Sequence, residues 1–130
     1  MIELRQDADL FTIADADALM NPVNTQGVMG KGLALEFKRR FPHSYKAYRA
    51  ACQRGELRPG VVLFVPGQKG EPNVLHFPTK KHWRGKSRLE WIAAGLDYLH
   101  DHYAAWGLTR IAMPQIGCGL GGLEWPNVQP

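Results

Sequence analysis

At 130 residues the chain has the length of one domain, and its 45% hydrophobic and 22% charged residues suit a packed core rather than a disordered tail. No apolar run approaches the ~18 to 20 residues of a membrane span, and Met1-Ile2-Glu3-Leu4 lacks the basic head and apolar centre of a secretory signal. Sixteen basic residues against twelve acidic ones leave a formal charge of +4, too modest to specify nucleic acid by itself, and two cysteines, Cys52 and Cys118, are too few for a disulfide framework. A reducing cytoplasm is therefore the expected setting.

In chain order, Ile2 to Arg5 alternates like an edge strand, and Asp7 to Leu10 makes a polar turn. Ala18-Leu19-Met20 is short and apolar, as a buried strand is. It leads through Asn21-Pro22-Val23-Asn24 into a glycine loop, Gly27-Val28-Met29-Gly30-Lys31-Gly32. From Lys31 the spacing predicts a helix with Leu33, Ala34, Phe37 and Phe41 on one face, closed by Pro42. A second helix carries Tyr45, Tyr48, Ala51 and Cys52 as its apolar stripe, with Gly55 at the C-cap. Val61 to Val65 reads as the clearest buried strand, and Asn73 to Phe77 as the next, stopped by Pro78. Ser87 and Glu90 spell a capping box for a helix that turns Leu89, Ile92, Ala93, Leu96, Leu99 and Tyr103 inward and ends near Gly107. Thr109 to Met113 is the last strand. Strands alternating with helices give an α/β class, helices covering a mixed sheet. Leu123 to Pro130 reads as the entrance to another helix, so residues 1–130 are expected to be a single domain lacking a C-terminal helix and an edge strand.

Three stretches carry chemistry. The run after the last strand holds Gly117, Gly119, Gly121 and Gly122; backbone this bare lets N–H groups approach a ligand, and phosphate is the usual guest. Its G-x-G-x-x-G is not the dinucleotide fingerprint, which needs an acidic residue ~20 positions later, because eight residues follow Gly122. The upstream glycine loop is not a Walker A sequence either, since Gly32 stands where Ser or Thr should follow Lys31. Two tight turns are the bland reading; two loops gripping one diphosphate is the functional one. The third stretch, Pro78 to Arg88, packs Lys80, Lys81, Arg84, Lys86 and Arg88 with His82 and Trp83 into a connection beyond a strand end. Such charges meet phosphates and such a ring stacks on a base, against the alternative of a solvated basic loop. Ligands of open α/β sheets sit at the strand carboxyl ends, where all three stretches lie.

Asp9-Leu10, Asn21-Pro22-Val23-Asn24, Gly27 to Gly32 and Ile116 to Gly122, in this order, resemble the macrodomain, an ADP-ribose-binding α/β/α fold. Within that family, the stretch from Phe77 to Arg88 is most similar to the DNA ADP-ribosyl glycohydrolase antitoxins of DarT–DarG toxin–antitoxin pairs. The resemblance implies a three-layer α/β/α sandwich that removes ADP-ribose from a DNA base. Its implied catalytic residue is Lys80. Its implied ADP-ribose contacts are Asp9 at the adenine amino group, Leu10 beside it, Asn24 near the distal ribose, the loop Gly27, Val28, Met29, Gly30, Lys31 and Gly32, then Thr79, and the diphosphate loop Gly117, Cys118, Gly119, Leu120 and Gly121. Lys81, His82, Trp83, Arg84, Lys86 and Arg88 are the expected DNA-binding residues. Implied partners are ADP-ribose, ADP-ribosylated single-stranded DNA and the cognate ADP-ribosyltransferase toxin, with no membrane, no metal and no cofactor, and a monomer is expected. Two positions depart from the pattern: Gly121 stands where the human terminal ADP-ribose glycohydrolase has the aspartate partner of its lysine, and Ala8 replaces the usual glycine before Asp9.

The residues can be weighed independently of that resemblance. Ordinary glycosidases flank the bond with two carboxylates, and neither glycine loop nor the basic stretch holds an acidic pair. A lysine can serve instead if burial or a neighbouring cation such as Lys81 lowers its pKa. Cys118 reads as a small residue in a tight loop, His100 and His102 point to different helix faces and make no metal pair, and His76 reads as a partly buried, satisfied histidine. Trp91 and Trp106 read as packing. An ADP-ribosyl hydrolase and a non-catalytic ADP-ribose reader both remain open, as does action on a protein-linked or otherwise derivatised ADP-ribose.

Overall fold

The computed structural model describes residues 2–4, 10–12, 16–30, 32–68, 70–82 and 86–114. Five strands form one sheet in the order β1-β5-β2-β4-β3: β1 is Ile2–Leu4, β2 Ala18–Asn24, β3 Leu63–Val65, β4 Val74–Lys80 and β5 Ile111–Met113. β3 pairs antiparallel with β4 and the other pairs are parallel, so the sheet is mixed. The helices among the described residues are α1 (Gly32–Arg40), α2 (Pro42–Gln53) and α3 (Leu89–His102), with a 3-10 turn at Leu10–Thr12.

Alternation along the central strands divides the core. Ala18 and Met20 of β2 and Leu75 and Phe77 of β4 join Ile92 and Leu99 of α3 on one face. On the other face Leu19 and Val74 meet Phe37 of α1, and Val23 meets Tyr48 and Ala51 of α2. A strand covered on both faces reads as a continuous apolar run. The result is an α/β/α sandwich.

Several details differ from the sequence reading. β2 does not end at Met20, nor β4 at Phe77; both run through their prolines, Pro22 and Pro78. A proline costs a ladder hydrogen bond only where a neighbour accepts one, and here one neighbour has already ended: β5 pairs with β2 only at Ala18 and Leu19, and β3 leaves β4 at His76. Val61 to Val65, read as the clearest buried strand, is a strand only over Leu63–Val65, at the sheet edge, with Leu63 and Phe64 only partly buried. The capping box does not form: the N-cap of α3 is Arg88, one residue later, and the Ser87 hydroxyl is buried with no partner among the described residues. Leu89 and Ala93 face solvent. The inward position missed by the periodicity is Gly95, where an added Cβ would lie 2.4 Å from the tip of the Phe77 ring. Pro42 closes α1 by opening α2, whose first N–H groups at His43 and Ser44 donate to the Glu71 carboxylate at 2.9 and 3.1 Å. Gly55 does sit just past α2 with φ +69°, where Glu56 N–H donates to Ala51 C=O and Gly55 N–H to Cys52 C=O.

Side chains fasten the sheet at the amino ends of its central strands. One carboxylate oxygen of Asp17 accepts from Thr109 N–H (2.8 Å), Thr109 Oγ1 (2.7 Å) and Arg110 N–H (2.9 Å), tying the entrance of β2 to that of β5. The Asn73 side chain accepts from Gly67 N–H and donates to Asp17 C=O, adding β4. Hydrogen bonds, first that of the Thr109 hydroxyl, hold the Asp17 carboxyl down at about 2. Inside the α2 layer, fully buried His76 lies 2.8 Å by Nε2 from Ser44 Oγ and 3.3 Å by Nδ1 from Asn21 Nδ2, with Tyr48 stacked on its ring. Asn21 donating to Nδ1 leaves the proton on Nε2 for Ser44. Burial pushes the His76 pKa down to about 3.

Two outcomes follow from this packing. Gly95→Ala gains up to ~1 kcal/mol of helix propensity, yet the overpacking against a fully buried Phe77 costs about 1–3 kcal/mol; denaturant unfolding should show net destabilisation, relieved in the Gly95→Ala, Phe77→Leu double variant. Because the folded state keeps His76 neutral, the unfolded chain binds the extra proton between pH 6.5 and about 3. Stability should therefore be lost as pH drops across that window, by roughly 5 kcal/mol in total. His76→Gln should remove this slope in urea titrations at stepped pH. Asp17 adds a further loss only as pH falls from 3.8 toward 2.

Candidate functional site

Because β2, β4 and β5 are parallel, their carboxyl ends share one edge of the sandwich, opposite the Asp17 fastening. The loop after β2, the basic connection after β4 and the chain leaving β5 at Pro114 all start there. Asp9, Lys31, Trp83, Arg84 and the loop of Gly117, Cys118, Gly119, Leu120 and Gly121 lie outside the described residues, as does the stretch 123–130.

The pairing of β2 with β4 slips at this edge. Val23 pairs with Pro78 but Asn24 pairs with Lys80, leaving Thr79 as an extra residue. Such a bulge re-aims the side chain that follows it. It sets Lys80 at the strand end beside Asn24, where the sequence reading had Lys80 in a loop. Thr79 is itself buried. Lys80 is partly buried, and burial lowers its pKa from the ordinary lysine value. The neighbouring Lys81 is not the cause; its ammonium is drawn toward α3, 5.6 Å from the centre of the Trp91 ring.

Asn24 organises the first glycine loop. Its Nδ2 donates to Val28 C=O at 2.8 Å and its Oδ1 accepts from Gln26 N–H at 3.0 Å, while the Tyr48 hydroxyl donates to its main-chain carbonyl at 2.8 Å. Gly27 takes φ +86°, closed to most other residues. Met29 turns inward against Tyr48 and Val23, whereas Val28 and Gly30 are exposed. Gly32, φ +58°, opens α1. Leu10, the expected neighbour of the adenine, has its side chain packed with Phe37 and Leu19. The loops after β2 and β4 are tied together by Thr25, whose Oγ1 donates to Lys81 C=O at 3.0 Å. Tyr48 and Thr25 were not legible as site residues, since a tyrosine in an apolar stripe does not announce where its hydroxyl ends.

Of the expected DNA contacts, Lys81, His82, Lys86 and Arg88 are exposed. Arg88 lies 5.3 Å from the centre of the Trp91 ring and 3.7 Å from the exposed Glu90 carboxylate. Among the described residues no group of three His, Cys, Asp or Glu is placed to hold a metal ion, and no helix is long and apolar enough to cross a membrane.

Comparison with known proteins places this geometry. The family model for the Macro domain matches residues 20–130. A DNA ADP-ribosyl glycohydrolase of Mycobacterium tuberculosis is 48% identical over 118 residues, 89% of this chain and 34% of that protein. The chain thus spans about a third of the length of the curated relatives it matches first. The solved macrodomain of Mycobacterium tuberculosis DarG superposes with a TM-score of 0.90 at 46% identity, covering 99% of this chain and 85% of that one. Thermosipho africanus DarTG in complex with ADP-ribose superposes at 0.89 and 35% identity, covering 98% of this chain and 37% of that one. With the family model over most of its length and the same α/β/α sandwich beneath it, this chain belongs to the Macro domain family.

Proposed function

We propose that this domain is an ADP-ribosyl glycohydrolase that removes ADP-ribose from a base of single-stranded DNA, with Lys80 as its catalytic amine. The observation that carries this reading is the placement of Lys80: a partly buried lysine of lowered pKa, set by a bulge at the carboxyl end of a central strand beside Asn24. The described residues of the loops after β2 and β4 hold no carboxylate, so the paired-carboxylate route to glycoside hydrolysis has no footing there. Burial instead raises the share of unprotonated amine at neutral pH. That amine acts at the anomeric carbon of the distal ribose, directly or through a ring-opened sugar. The bond to the base breaks with its electron pair going to the base nitrogen, which takes up a proton, and water completes release of ADP-ribose. The names of the Mycobacterium and Thermosipho relatives support the substrate class.

In this reading Asp9 receives the adenine amino group, the loop from Gly27 to Gly32 faces the ribose and phosphate, and Gly117 to Gly121 hold the diphosphate. Lys81, His82, Trp83, Arg84, Lys86 and Arg88 meet the DNA. The biological role is that of an antitoxin that reverses a DNA ADP-ribosyltransferase, acting as a monomer in the cytoplasm where its substrate lies.

Lys80→Ala should lower release of ADP-ribose from an ADP-ribosylated oligonucleotide by at least about 100-fold, followed by chromatography of the freed nucleotide. Full activity in that variant would remove Lys80 from the mechanism, and tight binding by the unaltered chain without turnover would leave a reader rather than an enzyme. Since a lowered pKa means the free amine accumulates as pH rises through it, the rate should climb with pH and level off below the ordinary lysine range.

A further inference from the structure

Of the two described tryptophans, Trp106 stacks on Phe64 and packs against the core. Trp91 belongs to none of the three core clusters and stays partly exposed near the start of α3. Tryptophan carries the largest apolar surface of any side chain, so one held outside the core invites a functional explanation. Two cations gather over its ring, Lys81 Nζ at 5.6 Å and Arg88 Cζ at 5.3 Å from the centroid. They converge from opposite ends of the basic connection, Lys81 from its beginning and Arg88 from its end. The Glu90 carboxylate that faces Arg88 is, like Arg88, mostly exposed and so neutralises little of that charge.

We infer that Trp91, Lys81 and Arg88 form a docking patch for single-stranded DNA, in which the indole stacks a base next to the modified nucleotide and the two cations take the flanking phosphates. The inference rests on the proposed function, because Lys81 directly follows Lys80 and is held there by Thr25. A strand entering the patch therefore brings its neighbouring nucleotide to the reacting amine. An aromatic ring with two cations close by offers a single strand both of the contacts it needs, a surface for a base and charges for its phosphates. A duplex keeps its bases stacked on one another and offers no free face to the ring, and an acidic peptide would use the charges while leaving the ring idle.

The test uses Lys80→Ala as background so that substrate is bound without turnover. Anisotropy of a labelled single-stranded oligonucleotide carrying one ADP-ribosylated base is compared with calorimetry of free ADP-ribose. Adding Trp91→Leu should weaken oligonucleotide binding about tenfold and leave ADP-ribose binding unchanged, while Trp91→Phe, which keeps a stacking face, should retain most of the affinity. Adding Lys81→Gln and Arg88→Gln should flatten the salt dependence. The patch is overturned if Trp91→Leu binds the oligonucleotide as its background does, if both Trp91 variants also lose ADP-ribose, or if a polyglutamate peptide competes as well as unmodified DNA. Binding of ADP-ribose with no gain from the attached strand would sink the patch alone; no binding of ADP-ribose at all would sink the proposed function.

Discussion

The parallel ladder between β2 and β4 is the constraint on which the molecule depends. Both strands are buried on both faces, so a slip by one residue would exchange every side chain between the α3 layer and the α1–α2 layer, neither of which fits the other's set. That rigidity gives the single irregularity its meaning. The ladder is in register from Leu19 and Val74 to Val23 and Pro78, then gains Thr79, and the strand end that carries Lys80 is set against Asn24 by the packed residues behind it. A lysine so placed can be partly desolvated without being left in the core, which is what a free amine at neutral pH requires.

The two ends of the sheet use their polar groups differently. At the amino ends, Asp17 and Asn73 lock three strands together through short hydrogen bonds to main chain. At the carboxyl ends, Asn24, Tyr48 and Thr25 hold loops rather than strands, and what they hold is main chain that a ligand can approach. Beneath them, Asn21 keeps one buried carbonyl oxygen without a partner among the described residues. An orphaned acceptor of this kind costs about 1–3 kcal/mol, and a fold tolerates it more readily where the surroundings are organised for function than in a core free to optimise itself.

The basic connection after β4 shows how charge and packing divide the work. Lys80 and Lys81 are adjacent in sequence but serve different surroundings. The first is tuned by burial, and the second is held outward by an aromatic ring on α3. That ring belongs to a helix whose inward stripe is set by Ile92, Gly95 and Leu99, so the same helix that seals the core through Phe77 and Gly95 also presents Trp91 to solvent at its start.

Sequence by itself determined the class, the family, the alternation of strands and helices, and the two stretches after β2 and β4 that start from one edge of the sheet, because apolar periodicity, glycine and proline punctuation and motif order are local properties. It also placed Gly55 correctly, since the end of a helix is a local event. What it misjudged were matters of neighbourhood. Pro78 read as a strand stop until the sheet showed that β3 had already left β4, and Val61 to Val65 read as the clearest buried strand because hydrophobicity does not reveal which strand lies at an edge. Only the tertiary structure decided that Glu71 caps α2 from 27 and 28 residues away, that Gly95 makes room for Phe77, and that one extra residue in β4 aims Lys80. Each of these is a contact between residues distant in the chain, and the energy that selects such a contact exists only once the layers have packed.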